Sequence, residues 1–301
     1  MKCTLCPRNC NVDRSINAGF CGESDKIRIA RAALHFYEEP SISGAAGSGA
    51  VFFCGCNLKC VFCQNESISG SRFGMEVSIE RLAEIFLELQ SQSANNINLV
   101  TPSHFVPQIR EALILAGNNG LSIPIVYNTS AYESVESLKL LEGLVDIYLP
   151  DMKYSINDLA VKYSKAPGYF EISKAAIQEM YRQVKAPVID EATGLMKKGV
   201  IVRHLLLPLG VKNACGVVSW LHETFGENIY ISLMNQYTPM TNSPSLLKVK
   251  DEYPHLCRKV TKREYERLID FVLSLNIQNA YIQEGDTASD SFIPSFDYTG
   301  I

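Results

Sequence analysis

Gly55-Cys56-Asn57-Leu58-Lys59-Cys60-Val61-Phe62-Cys63-Gln64-Asn65 holds three cysteines in a C-x3-C-x2-C spacing, directly after the apolar run Ala50-Val51-Phe52-Phe53. Three thiolates can hold three irons of a 4Fe–4S cube, and the cube needs four ligands. The fourth iron is then open, and an open metal position is where a small molecule can coordinate and be transformed. A pure electron carrier closes its cluster with a fourth cysteine. A zinc site calls for four ligands in two pairs, and this triplet lacks an obvious fourth. Cys54, two residues upstream, reads as a small buried apolar residue.

Working outward, the 301 residues are 47% hydrophobic and 20% charged, which is ordinary globular usage and enough for one large domain or two smaller ones. A formal charge of −4 leaves no electrostatic footprint for nucleic acid. No apolar run approaches the ~18 to 20 residues needed to cross a bilayer, so no membrane partner is expected. The opening Met1-Lys2-Cys3-Thr4-Leu5-Cys6 lacks the hydrophobic core of a secretory signal. Clustered cysteines without such a signal point to metal binding in a reducing compartment, and the expected location is cytoplasmic.

Strand-like runs recur at 50–53, 97–101, 123–128, 146–149, 200–207 and 229–234, with helical patterns between them. The clearest helix is Ser78–Gln90, where Ile79, Leu82, Ala83, Phe86 and Leu89 form an apolar stripe behind an N-cap serine. Others are expected near 107–116, 135–141, 172–185, 214–225 and 262–275. Strands alternating with helices argue for parallel βαβ units in an α/β fold. Six units suit an open partial barrel, although a doubly wound sheet would show the same alternation. Ala45–Gly49 is a small-residue stretch that resembles a linker. It divides an extension at 1–49 from a main unit at 50–285, with a tail at 286–301.

The cluster loop, from Gly55-Cys56-Asn57-Leu58 to Cys63-Gln64-Asn65, resembles that of the radical S-adenosylmethionine (SAM) superfamily, and within it the group around pyruvate formate-lyase activating enzymes. The resemblance implies an open partial (β/α)6 barrel and a SAM molecule chelated to the open iron through its amino and carboxylate groups. It implies reductive cleavage of SAM to methionine and a 5′-deoxyadenosyl radical, which takes a hydrogen atom from the substrate.

Sites of such folds collect at the carboxyl ends of the strands. After the second strand, Thr101-Pro102-Ser103-His104 stands where the superfamily often has a glycine-rich turn that receives the SAM amino group. His104 could equally cap the following helix. Pro150-Asp151-Met152-Lys153 resembles the Asp-x-Lys element that lies beside SAM in activating enzymes, whose acidic residue also helps hold a monovalent cation. Asn128 and Thr129 stand where the cation's other ligands would be, with Asn in place of Asp. For Lys153 the competing reading is a surface salt bridge. On the fifth strand, Arg203 and His204 interrupt an apolar run, and alternation sends one inward and one toward the helices. Arg203 would meet a carboxylate of SAM or substrate, or else form a structural ion pair with a glutamate. Met234 and Gln236 would line the SAM pocket by resemblance, while the sequence alone reads them as ordinary strand-end residues.

Cys3, Cys6, Cys10 and Cys21 form a second thiol group that suits a tetrahedral zinc site or a closed iron–sulfur centre. The alternative is a set of reduced thiols packing a short cap. Cys3–Cys10 and His35-Phe36-Tyr37-Glu38-Glu39-Pro40 resemble a branch of activating-enzyme-like proteins with a Cys-rich N-terminal segment. Cys215 and Cys257 are isolated and read as structural. The expected activity is radical SAM hydrogen abstraction, as an oxidoreductase that installs a glycyl radical on a partner enzyme or modifies a peptide or small molecule. An iron–sulfur carrier or redox sensor is the alternative from another class. Flavodoxin or ferredoxin would be the electron donor.

Overall fold

The computed structural model describes residues 2–70, 73–283 and 294–301. Among the described residues, ten strands make one sheet: β1 (Ile27–His35), β2 (Ser48–Phe53), β3 (Met75–Val77), β4 (Ile97–Val100), β5 (Ile125–Thr129), β6 (Ile147–Pro150), β7 (Val188–Ile189), β8 (Met196–Leu205), β9 (Tyr230–Met234) and β10 (Ala280–Ile282). Their order is β10-β9-β8-β6-β5-β4-β2-β1-β3, with β7 paired to β8. The six expected strands are β2, β4, β5, β6, β8 and β9. They pair in parallel and in chain order. A doubly wound sheet reverses its strand order partway. These six never do; β3 falls out of chain order beyond β1, and the sheet's edges β3 and β10 do not pair, which is an open partial barrel.

Alternation along each strand sorts the two faces. Val51 and Phe53 of β2 point into the main core with Leu82, Phe86 and Ile109 of the covering helices, while Ala50, Phe52 and Cys54 face the barrel interior. Helix Ile79–Ser91 starts where Ser78 Oγ accepts the Arg81 N–H at 3.1 Å, and it buries Leu82, Ala83, Phe86 and Leu89 of the expected stripe, with Ile79 half-buried. Cys54 is wholly buried in apolar packing.

Three features depart from the sequence reading. β1 runs antiparallel to β2 and carries the sheet past the first barrel strand. Its register shifts between Ile29 and Arg31, so no clean alternation survives to mark it as a strand. Ala45–Gly49 is not a linker, because Ser48 and Gly49 already belong to β2. A Cβ on Gly49 would lie 3.0 Å from the Asn96 carbonyl and 3.1 Å from Leu89 Cβ, so close packing, not flexibility, selects small residues there. The segment between β1 and β2 turns back into the barrel. Its Ile42 packs on Val126, Leu149 and Ile201 of the inner face, and Asn96 donates to the Ile42 carbonyl at 2.8 Å. Residues 294–301 lie along β1, where the Ala32 N–H bonds the Thr299 carbonyl. The expected boundary at 285/286 lies outside the described residues.

Candidate active site

The Cys56–Cys63 loop leaves the carboxyl end of β2 through Gly55, whose φ of +76° favours glycine. A Cβ there would come 2.8 Å from the Cys21 carbonyl. The loop is then tied down along its length. The Cys56 N–H bonds the Cys21 carbonyl, and the Lys59 and Val61 N–H groups bond the carbonyls of Ser164 and Tyr163. Asn57 Nδ2 donates to the Tyr132 carbonyl at 2.7 Å, and Leu58 and Val61 pack among Tyr132, Tyr154, Tyr163 and Tyr169.

Each of the three half-buried thiols has a hydrogen-bonding neighbour. The Leu58 N–H donates to Cys56 Sγ at 3.4 Å, Ser164 Oγ donates to Cys60 Sγ at 2.9 Å, and Ser69 Oγ lies 3.5 Å from Cys63 Sγ. Burial pushes the thiols up, Cys56 to about 12 and Cys60 to about 11; Cys56 and Cys60 also feel the charge of neighbouring cysteines, and Cys63 that of Lys153 and Glu66. Bare, they stay protonated. A cationic metal cluster displaces such protons. Among the described residues, no three His, Cys, Asp or Glu side chains converge tightly enough to hold a single ion. A cube asks less of the thiolates, since each binds a different iron. Three adjacent soft donors with hydrogen-bond support therefore fit a 4Fe–4S cluster.

Four of the expected site residues meet at the ends of β5, β6 and β8. Arg203 Nε donates to Asp151 Oδ1 at 2.7 Å, Nη1 to Glu38 Oε2 at 2.6 Å and Nη2 to Asn128 Oδ1 at 2.7 Å. Lys153 Nζ takes the other Asp151 oxygen at 2.8 Å. Burial works against both charges of that pair, yet Arg203 and Lys153 hold Asp151 below its ordinary value, and Asp151 followed by Cys60 holds Lys153 above its own. Lys153 thus joins the carboxylate network to the thiol loop. The Arg203 guanidinium is fully engaged by side chains of the protein.

The remaining expected residues go elsewhere. Thr129 and Ser103 both donate to Glu133 Oε1, a buried carboxyl that burial raises to about 7. Thr101 has a φ of +61°, in the left-handed region that glycine adopts most easily. His104 caps no helix: its Nε2 lies 2.6 Å from the Cys54 carbonyl, and burial lowers its pKa to about 3. His204 turns away from Arg203, its Nδ1 2.7 Å from the Met152 carbonyl, and burial lowers it to about 4. Gln236 pairs with Gln283 Nε2 at 2.9 Å and lies 3.7 Å from Met234 Sδ, so these two share the β9 end. Glu38, Glu133, Ser164 and Tyr154 were not singled out from sequence. Glu38 had a visible cue, an acidic pair in an otherwise aromatic stretch.

At the N-terminus, Cys6 and Cys21 are buried, and Cys21 lies within electrostatic reach of both Cys10 and Cys3. The Phe20 N–H donates to Cys10 Sγ at 3.3 Å. Of the two isolated cysteines, Cys215 is half-buried and Cys257 exposed.

Residues 50–195 match the family model of the radical SAM superfamily. Uncharacterized protein MJ0674 from Methanocaldococcus jannaschii is 30% identical over 288 residues, covering 93% of this chain and 76% of its own. The chain belongs to the radical SAM superfamily. Two solved structures share the radical SAM fold. SuiB of Streptococcus suis bound to S-adenosylmethionine gives a TM-score of 0.50 at 12% identity, over 76% of this chain and 48% of SuiB. The anSMEcpe structure with bound AdoMet and the Kp18Cys peptide gives 0.52 at 13% identity, over 75% of this chain and 60% of that one. The chain thus spans less than two thirds of either structure. No helix among the described residues is long and apolar enough to cross a membrane.

Proposed function

We propose that this radical SAM protein is an enzyme that abstracts a hydrogen atom from a polypeptide, using a cluster held by Cys56, Cys60 and Cys63. The observation that carries the reading is the meeting of three supported thiols with the Lys153–Asp151–Arg203 network at the carboxyl ends of parallel strands. A cluster held there would supply an electron for one-electron chemistry on SAM. The protein's part is positioning. Lys153 stands beside the thiols as the cation facing an incoming carboxylate, and Asp151 fixes its direction. The backbone at Thr101, held in a glycine-like conformation, and Ser103 beside it would receive the SAM amino group, while Met234 and Gln236 would line the adenosine end. A monovalent cation would have to share Asp151, Asn128 and Thr129 with Arg203 and Glu133.

Anaerobically reconstituted protein should form 5′-deoxyadenosine from SAM under reductant. Cys56→Ala, Cys60→Ala and Cys63→Ala should each abolish this, and together should cost no more than one alone. Cys54→Ala should retain it. A protein that loads a cluster and cycles electrons without cleaving SAM is a carrier or sensor instead.

The polypeptide reading is supported by the open sheet, whose edges β3 and β10 do not pair and would leave a side open to an extended segment, and by the activating-enzyme resemblance, which points to a glycyl-radical enzyme as partner and to flavodoxin or ferredoxin as donor in a cytoplasmic, reducing setting. A glycine-centred electron paramagnetic resonance signal on a candidate partner supports activation. Deuterium transfer from a small metabolite into 5′-deoxyadenosine, with no partner present, establishes the small-molecule alternative. The Cys3, Cys6, Cys10 and Cys21 group would hold a second metal, either iron–sulfur, whose irons each take one thiolate, or zinc, which would have to draw the four thiols closer together than they stand. Elemental analysis of the Cys56/Cys60/Cys63 triple alanine variant decides this, and a metal-free protein sinks it.

A further inference from the structure

Three thiols carry the proposed cluster, but their hydrogen bonds are unequal. Cys56 receives a backbone N–H at 3.4 Å, and Cys63 has Ser69 Oγ at 3.5 Å. Cys60 alone has a short contact, Ser164 Oγ at 2.9 Å. Behind it, Tyr154 OH lies 2.6 Å from the same Ser164 Oγ. Both supporting residues are completely buried, so water does not compete for these bonds.

Proton accounting fixes the direction of the chain. A cluster-bound thiolate has no proton to give, so Ser164 donates to Cys60. Serine has one hydroxyl proton. With that proton committed to sulfur, Ser164 Oγ can only accept, and Tyr154 donates to it. The Tyr154 ring is held in turn against Tyr169, with centroids 5.2 Å apart at 82°, and Tyr163. The Ser164 backbone carbonyl also accepts the Lys59 N–H, so the hydroxyl is registered to the loop it serves.

Resting on the reading of Cys60 as a cluster ligand, we infer that Ser164 and Tyr154 are positioning residues that set the reduction potential of the cluster through the Cys60 sulfur. Hydrogen bonds to cluster sulfurs tune potential because they stabilise the more negative, reduced state. A donor that is itself hydrogen-bonded is a stronger one. The pair therefore eases entry of the electron, and places the electron-accepting tuning on the side of the loop that faces the tyrosine cluster.

The test is a redox titration of the reconstituted full chain without SAM, with Cys3, Cys6, Cys10 and Cys21 changed to serine in every protein compared so that only one cluster reports, monitored by electron paramagnetic resonance. Ser164→Ala should lower the ratio of reduced to oxidised cluster about tenfold at a fixed potential, a shift of about 59 mV to more negative values. Tyr154→Phe keeps the ring and should shift it the same way by roughly threefold. If Ser164→Ala does not fold or load, Tyr154→Phe decides alone. A fully loaded Ser164→Ala or Tyr154→Phe protein with the wild-type potential overturns the inference. Cys60→Ala separates the two readings. Retention of an ordinary cluster by that variant removes Cys60 from the ligand set. Its loss, beside unshifted potentials in the other variants, defeats the tuning role alone.

Discussion

Glu133 shows how a single buried carboxyl links the strand ends to pH. It accepts hydrogen bonds from Ser103 and Thr129, yet burial outweighs them and raises it to about 7 from an ordinary 4.5. Between those values the unfolded chain releases its proton while the folded chain keeps it. Stability contributed by the neutral form is therefore complete below pH 4.5, falls as pH rises to 7, and changes no further above. The full difference is about 3 kcal/mol. His104 and His204 act in the opposite sense, since burial depresses both and their stabilisation is lost as pH falls below 6.5. Comparison with Glu133→Gln isolates the carboxyl. The variant should match the wild type near pH 4.5 in urea denaturation of the metal-free protein and exceed it by about 3 kcal/mol at pH 7.5. A difference that does not vary with pH would remove Glu133 as a titrating group. The cysteine spacing was legible in the sequence because it is local. Glu133 was not, because nothing in the sequence around it tells that Ser103, thirty positions away, will share its burial.

At the scale of elements, Arg203 ties β8 to β6, β5 and the segment after β1 through Asp151, Asn128 and Glu38. That Arg203 and His204 face opposite sides of the sheet could be read from strand alternation, but not which of them points inward. The identity of the partners could not, because Glu38 reaches them only after its segment folds back inside the barrel. A buried ion network contributes little over an apolar replacement, but breaking one leg strands the charges that remain. Arg203→Met should destabilise by roughly 3–5 kcal/mol, measured by urea denaturation. Adding Glu38→Gln to that variant should recover at least about 1 kcal/mol, because contacting residues are energetically coupled. Strictly additive losses would show that Glu38 and Arg203 do not depend on each other. The same distinction explains the strands. The six strands β2, β4, β5, β6, β8 and β9 declare themselves by buried apolar runs, whereas β1, with its bulge and two arginines, and the short β3, β7 and β10 are defined by their neighbours.

Across the whole molecule, the N-terminal segment acts as a clasp on the cluster loop. Arg8 Nε donates to the Asn57 carbonyl at 2.7 Å, its guanidinium lies 3.9 Å from the centre of the Phe20 ring, and it faces Tyr132 at 5.1 Å. Ser137 Oγ holds the Leu5 carbonyl at 2.7 Å, and the Cys21 carbonyl accepts from Cys56 itself. A loop whose backbone groups are satisfied by a second segment opens more rarely than one satisfied by water, because local opening must break both sets of contacts. Cluster loss under a chelator follows such openings. Arg8→Ala removes the donor, both ring contacts and the packing of the long side chain together. It should therefore release the Cys56/Cys60/Cys63 cluster roughly tenfold faster, for an opening made easier by about 1.4 kcal/mol. The measurement is the decay of the cluster's visible absorbance under anaerobic chelator, in protein whose Cys3, Cys6, Cys10 and Cys21 are all serine so that only one cluster reports. Arg8→Lys keeps the charge but not the planar fork, and should fall between the two. Equal decay for wild type and Arg8→Ala would mean that the loop holds its metal without the clasp.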